Sequence, residues 1–372
     1  MNVILIFTYG ISLKNWEENK IFDREILLYK HLQQKHNIKF TFLTFGDHED
    51  LEFADKLDNF EIIPIYKYIK KSDFKIFNFL KTIYITFKLK ALLSNNSLIK
   101  TNQQNGAWIG LILKFLIKKP LIIRTGYNLY EFSKNEKRSI YVRFFYYILT
   151  KISLLYSDSY LVTSKADKVN LKEVFGEKGN VLHFPNWVDS IVDNRESNRY
   201  ENKVLSVGRL ETQKNFSEII ESLKNENIDI DIVGEGSQKD SLLKFSKLNN
   251  VELNILEKMG FKDLKNIYQK YKIFISSSIF EGNPKVVLEA MANGCLVIAR
   301  KNMNVEEIIK HNQNGIIYNS NEELKEQVKF YLENENERKN LVKNSIKTIK
   351  TNNLLDIHID KEYALYKNLN ID

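Results

Sequence analysis

A single cysteine, Cys295, in 372 residues excludes an intramolecular disulfide. No Cys/His cluster has zinc-ligand spacing. Four prolines and fourteen glycines are too few for a low-complexity or disordered chain. No run of about eighteen uncharged apolar residues occurs, so a membrane-spanning helix is not expected. The opening MNVILIFTYG has neither a basic start nor a small-residue cleavage site. It reads as a buried first strand rather than a signal peptide. These absences leave a cytoplasmic protein held by hydrophobic cores. The content of 43% hydrophobic and 27% charged residues is that of an ordinary folded chain. The length suits two domains of about 150–200 residues each.

Acidic residues are scarce in one segment. Residues 64–151 hold 17 Lys/Arg against 3 Asp/Glu. Residues 1–190 carry 28 against 19, and residues 191–372 carry 27 against 28. The net charge of +8 therefore sits in the N-terminal half, which is suited to meeting something anionic.

Short apolar runs alternate with helical periodicity. Strands are expected at Asn2–Thr8, Phe40–Phe45, Ile62–Tyr66, Leu98–Thr101, Leu121–Arg124 and Ser159–Thr163. Helices are expected at Asp23–Lys35, Phe77–Leu93, Ala107–Ile117 and Tyr141–Leu155. A break follows at Val181–Asp189, then a polar run over Asp193–Asn202. The pattern restarts with strands at Lys203–Val207, Ile228–Val233, Val251–Ile255, Ile273–Ser276, Leu296–Ala299 and Gly315–Tyr318. Helices near Phe216–Asn225, Lys239–Leu248, Phe261–Tyr268 and Lys285–Asn293 lie between them, and the tail over Asn321–Leu369 is mostly helical. Such alternation predicts an α/β protein with two doubly wound parallel sheets. The expected division is 1–185, a linker over 186–202, a second domain over 203–355, and a C-terminal helix over 356–372 that packs back on the first domain. Ligands of such sheets bind beyond the carboxyl ends of the strands.

The residues after those strands carry the chemistry. Gly208 permits a sharp turn, and Arg209 and Lys214 then project from a strand-to-helix loop suited to a pyrophosphate. Two solvated surface cations are the other reading. Gly234 and Gly236 follow the next strand as either a phosphate-cradling loop or a plain tight turn. Met259 and Gly260 follow another strand, where a nucleobase can pair with exposed backbone groups.

The stretch Ser278–Gly294 places Glu281 and Glu289 eight positions apart. On one helix that spacing is a rotation of about 80° beyond two turns, so the two would not share a face. Pro284 fits the first turn of a helix and Asn283 its cap. Glu281 is then on the preceding loop and Glu289 inside the helix, flanking an N-terminus that favours an anion. Carboxylates beside an anion are best used on hydroxyls. The competing expectation makes Glu281 a partner of the helix dipole and Glu289 an exposed helix residue.

The pattern Gly208-Arg209…Lys214-Asn215, Gly234-Glu235-Gly236 and Ser278…Glu281-Gly282-Asn283-Pro284…Glu289…Gly294 resembles retaining glycosyltransferases of family 4. Pro185–Asp189 resembles that family's interdomain Pro-Asn-Gly-Val-Asp motif, with Trp187 where glycine is usual. The resemblance covers about 181–320. It implies the GT-B fold, two Rossmann-like domains facing a central cleft. It also implies a metal-independent hexosyltransferase that needs no cofactor and takes a nucleotide sugar as co-substrate. Arg209 and Lys214 would hold the donor diphosphate, Glu281 would sit near the transferred sugar, and Glu289 on the ribose. Gly282, Asn283 and Pro284 would shape the loop under the phosphates. The N-terminal half departs from the pattern. One glycine, Gly10, stands where a pair is common, and Ile122–Tyr127 occupies the place of a frequent histidine. Arg124 and Tyr127 are the residues expected on the acceptor side.

Aromatic residues and lysines interleave over 65–81, 114–119 and 137–147. An anionic membrane surface fits this mixture, as does a solvated basic face over an aromatic core. RNA also suits such residues, but no RNA-binding signature is present and no nucleic-acid partner is expected. The resulting expectation is a transferase at the inner face of the plasma membrane acting on a lipid-linked or surface polysaccharide. The alternatives are a sugar-nucleotide hydrolase or epimerase of the same fold, and a non-catalytic basic membrane- or RNA-binding protein.

Overall fold

Apolar runs too short for buried helices dominate both halves of the chain, and in the computed structural model they form the centres of two sheets. The structure describes residues 1–58, 60–192 and 199–370. The chain divides into two units, Met1–Phe184 with Ile359–Asp372, and Pro185–His358.

In the first unit the elements run β1 (Asn2–Ile6), α1 (Leu13–Glu18), α2 (Phe22–His36), β2 (Lys39–Thr44), β3 (Glu61–Pro64), α3 (Ile65–Tyr68), α4 (Lys75–Leu93), β4 (Leu98–Thr101), α5 (Ala107–Ile117), β5 (Leu121–Thr125), α6 (Leu129–Asn135), α7 (Ile140–Tyr156), β6 (Ser159–Val162), α8 (Lys165–Phe175) and β7 (Val181–His183). The strands form one parallel sheet in the order β3-β2-β1-β4-β5-β6-β7. β1 is apolar after Asn2, and β4 and β5 open on apolar residues, Leu98–Ile99 and Leu121–Ile123, as strands covered on both faces do. Phe7 stacks on Trp16 at 4.2 Å, and Phe40, Phe42 and Phe60 pack beneath Tyr29.

The second unit contains β8 (Tyr200–Val207), α9 (Phe216–Ser222), β9 (Asp229–Val233), α10 (Lys239–Leu248), β10 (Leu253–Leu256), α11 (Phe261–Tyr268), β11 (Tyr271–Ser276), α12 (Lys285–Ala292), β12 (Leu296–Arg300), α13 (Val305–Ile308), β13 (Ile316–Tyr318), α14 (Asn321–Glu333) and α15 (Glu335–Asn352). Its sheet is parallel, in the order β10-β9-β8-β11-β12-β13. Two apolar clusters cover its faces. One is built around Phe216, Ile230 and Tyr318, the other around Phe274, Leu288 and Met291. The last helix, α16 (Leu355–Leu369), starts in the second unit and belongs to the first from Ile359 onward.

Three differences from the expected elements have physical causes. Val181–His183, read as a break, is β7. Its main chain pairs with β6, and three residues are too few for a periodic signal. The strand expected to reach Tyr66 ends at Pro64, whose ring removes a ladder donor, and Ile65 opens α3. β8 begins at Tyr200, inside the expected linker. Its first residues are exposed and lack the apolar signature. Asn186–Val188 are buried in the second unit, and residues 193–198 of that linker lie outside the described residues.

Candidate active site

In the second unit the strand order reverses between β8 and β11. Connections leave to opposite faces at such a point, and a crevice opens beyond the carboxyl ends. β8 is followed by Gly208–Asn215 and β11 by Ser277–Pro284, so the two charged stretches leave the sheet side by side. Three hydrogen bonds join them. The Ile279 amide donates to the Gln213 carbonyl (3.0 Å), the Gln213 side-chain amide to the Phe280 carbonyl (2.8 Å), and the Ser277 hydroxyl to the Lys214 carbonyl (2.7 Å). This stapling holds Lys214 against Glu281, and their side chains form a salt bridge at 14% and 12% exposure. From the far side, the Asn304 amide donates to the Glu281 carbonyl.

Arg209 is exposed at the end of β8, near Glu211. The Glu211 carboxylate accepts from the Ser237 amide (3.1 Å) and hydroxyl (2.9 Å), which hold its carboxyl below the usual carboxylate range. The glycines expected at a phosphate loop have a packing reason of their own. A Cβ on Gly234 would lie 1.9 Å from the Gly208 carbonyl oxygen, and one on Gly236 would lie 2.6 Å from that of Leu210. The loops after β8 and β9 touch backbone to backbone there, with the Leu210 amide bonded to the Glu235 carbonyl at 2.9 Å. Only glycine fits such contact. Met259 packs half-buried beside the second apolar cluster, and Gly260 opens α11.

Gly282, Asn283 and Pro284 are buried under the loop. The expected cap is corrected here. Pro284 is itself the N-cap residue of α12, and no side chain caps that end. Asn283 is held elsewhere. Its Oδ1 accepts from the Asn186 amide (2.9 Å), and its carbonyl accepts from Asn186 Nδ2 (2.6 Å). The Asn186 carbonyl in turn accepts from Asn353 Nδ2 (2.8 Å), and all three asparagines are buried. Trp187, where the resembled motif has glycine, is buried with Lys285 Nζ 5.7 Å from its ring centre. α12 thus starts without a capping side chain at Pro284, and a helix N-terminus favours an anion. Asn283→Ala strands the buried Asn186 amide and is expected to cost about 1–3 kcal/mol. Urea unfolding checks this, and an unchanged midpoint would contradict the network.

Glu289 is not an exposed helix residue. It is buried, accepts from the Tyr268 hydroxyl at 3.2 Å, and lines a small pocket with Asp189, Ser190 and Lys265. The structure brings Lys214 and Glu281 into direct contact and places Glu289 in this separate recess.

In the first unit the order reverses between β1 and β4. Gly10 follows β1, exposed and at φ +79°. Arg124 is half-buried on β5. Its amide donates to Thr101 Oγ1 (3.1 Å) and its Nη1 to the Asn102 carbonyl (3.4 Å). Tyr127 is exposed, with its ring against Phe132. These residues leave the neighbouring strands β1 and β5 on either side of β4.

The reading of the residues missed Gln213, Ser277, Asn304 and Tyr268. Gln213 and Ser277 adjoin the charged residues in sequence. Only the strand order, which no local pattern encodes, makes their loops neighbours.

Residues 189–348 match the model of the family described as Glycosyl transferases group 1. The chain is 29% identical over 206 residues, 53% of this chain and 56% of the relative, to a GalNAc-α-(1→4)-GalNAc-α-(1→3)-diNAcBac-PP-undecaprenol α-1,4-N-acetyl-D-galactosaminyltransferase of Campylobacter jejuni. It is 30% identical over 195 residues, 50% and 55% of the two chains, to an amylovoran biosynthesis glycosyltransferase of Erwinia amylovora. The chain thus spans about half the length of the curated relatives it matches. Among solved structures it is similar to Anabaena HepE in complex with UDP and glucose, with a TM-score of 0.76 at 15% identity over 99% of this chain and 100% of the other. At that identity the likeness is one of fold: two Rossmann-like units of the GT-B type.

Proposed function

We propose, from the premise that the C-terminal unit is a glycosyl transferases group 1 domain in a GT-B chain, that this protein is a sugar transferase. It moves a sugar from a nucleotide-diphospho-sugar to a glycan acceptor. The observation that carries the reading is the Lys214–Glu281 pair stapled at the β8/β11 switch point beside the uncapped start of α12. Arg209, Lys214 and that helix end would offset the charge of a departing diphosphate. Glu281 would accept from a hydroxyl of the transferred sugar and Glu289 from the ribose. In this reading the acceptor hydroxyl attacks from the face the diphosphate leaves: the bond from the sugar to the diphosphate breaks as the bond to the acceptor oxygen forms, the acceptor's proton passes to the departing phosphate oxygen, and configuration is retained. These groups supply the charge compensation without a metal. Gly10, Arg124 and Tyr127 would serve the acceptor. The C. jejuni and E. amylovora relatives, whose names give an undecaprenol-linked glycan and amylovoran biosynthesis, support a lipid-linked or surface-polysaccharide acceptor, and the basic N-terminal half supports action at the cytoplasmic membrane face.

A thermal-shift panel of UDP-, GDP- and ADP-sugars tests donor binding. A cognate donor at a hundredfold its Kd should add about 2.7 kcal/mol, a rise of a few degrees, and no response to any of the panel would refute the reading. The hydrolase or epimerase alternative uses the same pocket. It predicts turnover of the donor without acceptor, whereas the transferase predicts acceptor dependence and a retained anomer by NMR.

A further inference from the structure

The aromatic residues of the basic segment lie on the outside. α4 is reversed relative to an ordinary surface helix. It buries Asn78, Thr82 and Thr86 alongside Ile85, Leu89 and Leu93, and the buried hydroxyls are served locally. Thr86 donates to the Thr82 carbonyl, and Thr82 accepts from Trp108 Nε1. Its outward stripe carries Phe77, Leu80, Tyr84 and Phe87, each at least half exposed. Their spacing of three and four residues keeps them on one face. α7 repeats the pattern, with Tyr141 at 83% and Phe144 at 64% exposure. The two helices are neighbours: Phe79 of α4 meets Phe145 of α7 at 6.0 Å, and both meet Trp108 of α5. Apolar residues this numerous on one exposed face mark a binding surface.

We infer that α4 and α7 form a docking face that enters the headgroup region of an anionic bilayer, with its aromatic residues at the acyl boundary. Charge selects this occupant. Residues 64–151 carry 17 basic and 3 acidic residues, so a second copy would meet like charge, whereas an anionic membrane meets its complement. Among the described residues no helix is long and apolar enough to cross a membrane, so the helices lie in the interface plane. RNA would use the lysines, but Ile76 and Leu80 offer it neither charge nor a stacking plane. The inference rests on the transferase reading only for its purpose, which is to hold the site against a lipid-borne acceptor.

The test uses the full chain with vesicles of equal parts phosphatidylglycerol and phosphatidylcholine. Cys295 is fully buried and its thiol is pushed up to about 11 by burial, so a cysteine introduced as Phe77→Cys can be labelled selectively with an environment-sensitive dye. Its emission should shift to the blue on vesicles and be quenched by lipids brominated in the acyl chain. The Phe74→Ser/Phe77→Ser/Phe87→Ser and Tyr141→Ser/Phe144→Ser proteins should each partition on the order of tenfold or more weaker than wild type. High salt should weaken wild-type binding without abolishing it. The inference is overturned by absence of wild-type binding at low salt, by serine variants that bind like wild type, or by a salt-stable dimer that the same substitutions dissociate. The serine variants should keep their thermal response to the nucleotide sugar. Loss of vesicle binding with that response intact therefore concerns docking alone. Vesicle binding by a protein that answers no nucleotide sugar would sink only the transferase reading.

Discussion

Glu281→Gln is expected to lower sugar transfer on the order of a hundredfold to a thousandfold while leaving the fold intact. The substitution keeps the size and an acceptor oxygen but removes the charge that Lys214 faces. Its loop has independent anchors: the Gln213, Ser277 and Asn304 bonds all run to or from main-chain groups. The glutamine should therefore sit where the glutamate sits. On the proposed transferase reading, what would be lost is a charged acceptor for a sugar hydroxyl, a contact that would strengthen as the glycosidic bond breaks and positive charge grows on the sugar. Losing one preorganised electrostatic contact in a site of this kind costs about 2.7–4 kcal/mol of transition-state stabilisation. The loss should appear in kcat more than in KM. Initial rates with the donor chosen by thermal shift decide it, alongside circular dichroism to confirm folding. Turnover within twofold of wild type would remove Glu281 from the mechanism. Lys214→Met should instead raise the donor KM as well, because the diphosphate would lose a cation.

The framework of this site could be read from residues because each part has a local signal. α5 and α10 begin and end as periodicity predicts, at Ala107–Ile117 and Lys239–Leu248. Pro284 marks the start of a helix between two carboxylates by its own covalent geometry. The unread parts depend on which elements meet. An asparagine before a proline looks like a cap, and it is the distant Asn186 that claims Asn283 instead. Glu289 carries no mark of burial, because the tyrosine that binds it comes from another helix. The aromatic stripe of α4 has the same period whether it faces core or solvent, and only packing shows that the threonines went inside. Glu362 lies in a helical tail whose charged residues look like a solvated face.

That tail residue carries the largest stability effect we expect. Lys100 on β4 is fully buried and its ammonium contacts the Glu362 carboxylate of α16. The Tyr366 hydroxyl donates to the same carboxylate at 2.7 Å, and the rings of Tyr29 and Tyr366 lie 5.4 and 5.6 Å from the ammonium. Removing one partner of a buried pair leaves an uncompensated charge, so Lys100→Met and Glu362→Gln should each cost about 3–5 kcal/mol. The Lys100→Met/Glu362→Gln double variant removes both charges and should cost clearly less than the sum of the two. Burial and the nearby Arg124 push the Lys100 ammonium well below its ordinary value. In Glu362→Gln the contacting carboxylate charge is gone, so the folded state binds the proton more weakly than the unfolded chain does. Stability of that variant should therefore rise with pH, from the lowered folded value up to the ordinary lysine value of about 10.4. Wild type should rise less over the same range. Urea unfolding at a series of pH values reads both effects. A Glu362→Gln protein as stable as wild type at neutral pH, or one whose stability falls as pH rises toward 10, would show that this pair does not hold α16 to the first sheet.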